Sequence, residues 1–230
     1  MRLCPGMGGQ IFAPAKSAFP PSLAVIYRKE SGKAVRICQH VYDRSQKISG
    51  SVMMSSLMRK NTLNISHFDS PVGPMVACAT TQGICLVDYM DRDILEAEFE
   101  YLVKEFNTDI LPGKNKHLDK LQKEMSEYFV GKRSTFTVPI HASGTEFQMS
   151  VWNALKKIPY GNTRSYKQQA EAIGNVKAVR AVAGTNGKNR INILIPCHRV
   201  IGSNGQLVGY GGGLKRKQWL LDLEAGKCAG

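Results

Sequence analysis

A chain of 230 residues is long enough for one large or two small domains with proper cores, and 43% apolar content excludes wholesale disorder. No apolar run approaches the ~20 residues that span a bilayer, and the run Leu23 to Tyr27 is too short for a secretory signal, so a soluble cytoplasmic protein with no membrane partner is expected. Six cysteines lie scattered without a CxxC pair, which argues against a zinc knuckle or a disulfide framework, and the net charge of +13 points to a polyanionic partner.

That charge is unevenly divided. Residues 1–60 hold ten Lys or Arg against two Asp or Glu, residues 61–139 eight against twelve, and residues 140–230 thirteen against four. The first segment carries Pro5, Pro14, Pro20 and Pro21 and little periodicity. It reads as a disordered or mis-assigned extension, because Met53, Met54 and Met58 stand just before the first convincing strand.

From Thr62 the pattern becomes strand-like, with alternation over Asn64 to Phe68, turns at Ser70–Pro74 and Thr81–Gly83, and runs from Met75 to Ala79 and Ile84 to Tyr89. Asp91 or Asp93 is placed to cap a helix striped by Leu95, Phe99, Leu102 and Phe106. A second helix carries Leu118, Leu121, Met125 and Phe129 and stops at Gly131. The expectation for 61–140 is a small antiparallel sheet with helices, acidic and without obvious chemistry, and for 141–230 a mostly helical domain, α+β in all.

Thr145 with Gln148, and Ser165 with Gln168, are capping boxes; the first opens a helix striped by Phe147, Val151, Trp152 and Leu155. The second opens a short helix ending at Gly174. Asn175 is placed to cap a further helix through Val182 that carries Lys177 and Arg180 among small residues, with Gly187 past its end. Two short helices joined through Gly174-Asn175 outline a helix-turn-helix. After it come a short buried strand over Ile191 to Ile195, a hairpin turn at Gly202–Gly205 that makes a wing with Leu207-Val208, and a lid over Gly209–Gly213. A last helix, Leu214 to Glu224, joins basic Lys215, Arg216 and Lys217 to core residues Trp219, Leu220, Leu221 and Leu223.

At the end of the apolar run, Pro196 stops regular pairing and puts Cys197, His198 and Arg199 at the lip of a core element. A free thiol is only about 3% thiolate at neutral pH, so a nucleophilic cysteine needs a nearby imidazole or cation, and His198 and Arg199 are candidates. A buried structural cysteine beside a satisfied histidine is the alternative reading of these residues alone.

With the pieces in order, Phe147 to Glu224 resembles the methylated-DNA–protein-cysteine methyltransferases, the O6-alkylguanine-DNA alkyltransferase family. Pro196-Cys197-His198-Arg199-Val200 matches its signature. Tyr166, Arg180, Asn189, the lid Tyr210-Gly211-Gly212, and Trp219 with Glu224 fall in family order, while 62–140 look like the family's N-terminal domain. The resemblance implies single-use transfer of an alkyl group from O6-alkylguanine, and O4-alkylthymine, in double-stranded DNA to Cys197 after base flipping, by a monomer that needs no cofactor and has no metal among its site residues. It implies that His198 deprotonates Cys197 through a water, that Glu224 orients His198, that Asn189 braces the turn, and that Tyr166 donates to guanine N3. Arg180 then fills the gap left by the base, and Lys177, Tyr210, Val200 and Gly211 belong to the DNA- and base-binding set. Arg190 and Asn192 stand where some members have prolines, and Gly211 where a serine is common. The rival readings are a winged helix-turn-helix DNA binder without catalysis, which leaves Cys197 idle, and a Cys-His-Glu hydrolase, which has no use for a basic half.

Overall fold

The computed structural model describes residues 62–227, together with two short antiparallel strands, β1 (Tyr27–Arg28) and β2 (Ala34–Val35). The extension expected over 1–60 otherwise lies outside the described residues.

The alternating residues after Thr62 form a meander of β3 (Thr62–Phe68), β4 (Met75–Ala79) and β5 (Ile84–Tyr89), with Phe68 opposite Met75 and Met75 opposite Tyr89. Successive side chains point to opposite faces of a strand, and here both faces are covered. Val76, Cys78 and Leu86 join one core with Leu95, Phe99 and Leu102 of α1 (Leu95–Glu105). Met75, Ala77, Val87 and Tyr89 join another that runs without interruption into the C-terminal half, through Trp152, Ile191, Cys197 and Leu220. The sheet is therefore one wall of whatever is built around Cys197.

The sheet is not wholly antiparallel. β6 (Asp109–Pro112) lies parallel to β3 and gives the order β5-β4-β3-β6. α1 supplies the crossover that a parallel neighbour requires, and four residues ending in a proline carry too little alternation to announce a strand. The expected aspartate cap of α1 is also absent: Ile94 starts the helix without a side-chain bond, while Asp91 accepts from Arg216 at 3.0 and 2.8 Å. α2 (Lys116–Phe129) buries Leu118, Leu121, Met125 and Phe129 as its spacing predicts, and Gly131 follows it at φ +72°.

Both capping boxes form, at the starts of α3 (Glu146–Lys156) and α4 (Tyr166–Ala172). Gly174, at φ +73°, turns the chain toward α5 (Val179–Gly187), which a 3₁₀ turn over Val176–Ala178 precedes. Asn175 does not cap with its side chain; its carbonyl accepts from Ala178 N–H at 3.0 Å, as a 3₁₀ start allows. Gly187 is the last residue of α5 and does not lie past it. α6 (Leu214–Glu224) has the expected bounds.

Two expectations about the segment around Cys197 are corrected. Residues 191–195 make a tight turn, with Ile195 N–H on Ile191 O and Leu194 N–H on Asn192 O, both at 2.9 Å. Ile193 sits at φ +71°, a conformation that costs a β-branched residue about 1–3 kcal/mol and persists only when its surroundings over-determine it. Those surroundings are β5: Val87 N–H donates to Arg190 O at 2.8 Å and Val87 O accepts from Asn192 N–H at 2.9 Å. The wing is incomplete too. The turn at Gly202 closes on Gln206 O at 2.9 Å, but Leu207-Val208 form no strand, and β8 (Val200–Ile201) pairs in parallel with β7 (Arg164–Ser165). The carbonyls of Val200 and Val208 are instead occupied by the ammonium of Lys217, at 2.5 and 2.7 Å.

Candidate active site

Cys197 opens a single 3₁₀ turn, Cys197–Arg199, directly after Pro196, and is 4% exposed. Its sulfur is held by a neighbouring amide. Asn189 Nδ2 donates to Sγ at 3.1 Å and to Ile195 O at 2.8 Å, while its Oδ1 accepts from Ile191 N–H at 3.0 Å, so the amide cannot turn over. Burial pushes the thiol pKa up, and the Asn189 bond and the Lys217 charge pull against that. This corrects the expectation that Arg199 activates the thiol. Its guanidinium points the other way, to Glu224 and to Ile158 O at 2.6 Å, and among the described residues no hydrogen bond joins His198 to Cys197.

His198 is fully buried, with Nε2 2.9 Å from Glu224 Oε1. Glu224 closes α6 and gathers donors from four places: His198, Arg199 at 2.8 and 2.9 Å, the Tyr128 hydroxyl at 2.7 Å and Gly161 N–H at 3.2 Å. Burial pushes the carboxyl up, but the bonds and charges of His198 and Arg199 outweigh it and set the pKa at about 2. An ionised carboxylate only accepts, so Nε2 carries the imidazole proton and Nδ1 is left with its lone pair. Burial lowers the His198 pKa against the pull of Glu224, and among the described residues Nδ1 has no hydrogen-bond partner. A neutral base with a free acceptor nitrogen is thus fixed one residue from the thiol.

Tyr166 and the lid lie near Cys197. The Tyr166 hydroxyl is 3.2 Å from both Val208 O and Gly209 O, Lys217 Nζ also reaches Gly209 O at 3.2 Å, and the Tyr210 hydroxyl meets that of Tyr89 at 2.8 Å. Burial raises the pKa of Tyr166 and of Tyr210, so both keep their protons. The backbone at Gly212 packs so closely on Tyr89 that an added Cβ would come within 2.3 Å of the ring, and one at Gly211 would meet the Arg92 guanidinium at 2.7 Å.

Lys177 and Arg180 stand exposed on the helix-turn-helix, beside exposed Val176 and Gly184. Val200, placed with the base-binding residues, is fully buried and offers its carbonyl to Lys217. Several site residues lay outside the expectation. Lys217, one of three consecutive bases in the last helix, has no expected role, yet it is fully buried, and burial lowers its pKa to about 8. Its spacing from Leu220, Leu223 and Glu224 marks the inward face of α6 and was the available signal. Asp88 and Tyr89 come from the half that was read as without chemistry; a charge inside the run Ile84–Tyr89 was the clue.

A thiol at the foot of a helix-turn-helix, backed by an imidazole–carboxylate pair and roofed by tyrosines, defines a cysteine-dependent group-transfer protein with a DNA-binding face. The chain belongs to the 6-O-methylguanine DNA methyltransferase family: its ribonuclease-like domain matches residues 63–142 and its DNA-binding domain residues 146–226. The methylated-DNA–protein-cysteine methyltransferase of Methanosarcina acetivorans is 42% identical over 162 residues, covering 70% of this chain and 97% of that one, and the inducible enzyme of Bacillus subtilis is 45% identical over 146 residues, covering 64% and 81%. The Mycobacterium tuberculosis OGT solved in complex with DNA superposes with a TM-score of 0.61 at 36% identity, covering 73% of this chain and 94% of that one.

Proposed function

We propose that this chain repairs double-stranded DNA as a cytoplasmic monomer, by moving the alkyl group of O6-alkylguanine, and of O4-alkylthymine, irreversibly onto Cys197. One observation carries the reading: the amide-held thiol of Cys197 lies near enough to the hydroxyls of Tyr166 and of the lid residue Tyr210 to act on them electrostatically. The division of labour follows, with 61–140 buttressing the site and 141–230 binding DNA and performing the transfer.

The 3₁₀ turn before α5 presents Lys177, and α5 presents Arg180, to the DNA, and the target base leaves the stack at a cost of a few kcal/mol that Arg180 offsets by filling the gap. In the recess, Cys197 gives its proton through a water to His198 Nδ1, while Glu224 keeps Nε2–H in place and steadies the imidazolium. The thiolate attacks the alkyl carbon, the C–O6 bond breaks, and its electron pair goes to the guanine, which takes a proton at N3 from Tyr166. The imidazolium then makes good the lost proton, so the thiol hydrogen has passed in effect to the base. The product thioether has no leaving route, and each molecule works once. Asn189 holds Sγ in place throughout, and Tyr210 and Gly211 close over the base.

To test this, the protein is incubated with a duplex carrying one O6-methylguanine, digested, and its peptides weighed. The methyl group is expected on Cys197; its appearance on the buried Cys78 or Cys85, or on no cysteine, would sink the proposal.

A further inference from the structure

The thiol of Cys197 faces two amides, and they present opposite ends. Asn189 turns its nitrogen to Sγ at 3.1 Å, whereas Asn192 turns its oxygen to it, with Sγ 3.8 Å from Oδ1. The orientation of Asn192 is dictated by its other end. Nδ2 lies 3.2 Å from Val87 O, a carbonyl that can only accept, and 2.9 Å from Asp88 Oδ1, so the nitrogen faces them and the oxygen faces the sulfur. Asp88 is fixed in turn by Arg92 at 2.5 Å and by Tyr89 N–H at 2.8 Å, and it is fully buried. The turn that aims Asn192 is the strained one through Ile193, pinned to β5 by Val87.

Only one protonation state of the sulfur satisfies both amides. A thiol accepts from Asn189 and donates its hydrogen to Asn192, whereas a thiolate keeps the first bond and meets the negative end of the second dipole. We infer that Asn192, held in place by Asp88, is a positioning residue that keeps Cys197 a protonated thiol in the unliganded protein. The N-terminal sheet thereby reaches the reacting atom, and a thiol that can be used once is guarded against chance electrophiles until a base occupies the recess. The charged and titratable groups around the sulfur are Lys217 from α6, Asp88 and Arg92 from β5 and the turn after it, and the hydroxyls of Tyr89, Tyr166 and Tyr210. Burial and the Asp88 charge favour the thiol, while the Asn189 bond and the charges of Lys217 and Arg92 favour the thiolate.

The inference rests on Cys197 being the alkyl acceptor, but its test does not pass through alkyl transfer. Reaction of Cys197 with iodoacetamide is followed by intact mass across pH, in the wild type and in Asn192→Leu, which keeps the volume and removes the oxygen. The variant should titrate roughly half to one pH unit lower, the worth of one hydrogen bond to the protonated form, and at pH 7 should react about three- to tenfold faster. An unchanged or raised midpoint in a variant with wild-type circular dichroism overturns the inference. Where Asn192→Leu fails to fold, the infrared S–H band that disappears on Cys197→Ala decides the matter. A band at neutral pH displaced to the low frequency of a donating thiol supports it, and no band, or one at the free-thiol frequency, refutes it.

Discussion

His198 Nε2 and Glu224 Oε1 lie 2.9 Å apart in the interior, joining the residue after the reactive cysteine to the last residue of the last helix. The pair is also where the two halves of the chain meet, because the Tyr128 hydroxyl of α2 donates to the same carboxylate oxygen at 2.7 Å.

Acid stability should report on this carboxylate. The Glu224 pKa of about 2 in the folded protein lies below its ordinary 4.5, so its contribution is present in full above pH 4.5 and is lost as pH falls toward 2. The shift corresponds to about 3 kcal/mol. Urea unfolding at a series of pH values should show Glu224→Gln less stable than wild type by about 3–5 kcal/mol at pH 7, because Arg199 is left buried without its partner charge, and the gap should narrow below pH 4.5. A gap independent of pH would mean that Glu224 is not ionised in the fold.

The pH profile of transfer should follow His198. Its pKa lies below 6.5 because burial outweighs the bond to Glu224, so the neutral base persists down to that value. Single-turnover transfer from free O6-benzylguanine should hold its rate as pH falls to 6.5 and decline only beneath it. A decline centred above 6.5 would assign the proton acceptor elsewhere.

Lys217 clasps the lid through three carbonyls, those of Val200, Val208 and Gly209. Lys217→Met keeps the stem and leaves those acceptors without a donor, at about 1–3 kcal/mol for each one that stays buried. Thermal unfolding should detect the loss, and transfer should slow on DNA and free base alike, since both need the lid. Slowing confined to DNA would make Lys217 a phosphate contact.

Arg180→Ala separates flipping from chemistry. The variant should react with free O6-benzylguanine at close to the wild-type rate, while duplex repair falls about tenfold for each 1.4 kcal/mol of lost flipping stabilisation. Equal slowing of both reactions would place the role of Arg180 in the recess or the fold.

Much of this was legible in the chain because it rests on local chemistry. The capping boxes at Thr145 and Ser165, the apolar stripes of α1 and α2 and the meander after Thr62 depend on neighbours a few residues away, and they stand where their spacing put them. What the spacing hid depends on distant partners. Ile191 to Ile195 read as a strand because five apolar-rich residues look alike in a strand and in a turn docked on β5, and the difference lies in bonds to Val87, more than a hundred residues earlier. Arg199 reads as a thiol activator by adjacency, yet it serves Glu224; Lys217, one of three consecutive bases, is fully buried. Cys197, His198 and Glu224 were found by motif, while Asp88, Tyr89 and Tyr128 required the packing of the N-terminal half against them.

The central claim is that Cys197 accepts one alkyl group and then stops. The protein is incubated with a tenfold molar excess of duplex carrying O6-methylguanine until change ceases, and repaired guanine is counted against intact protein mass. One repaired base per molecule is predicted, with a single added methyl group on every chain and none on Cys197→Ala. More than one repaired base per chain, or full repair by Cys197→Ala, would contradict the account.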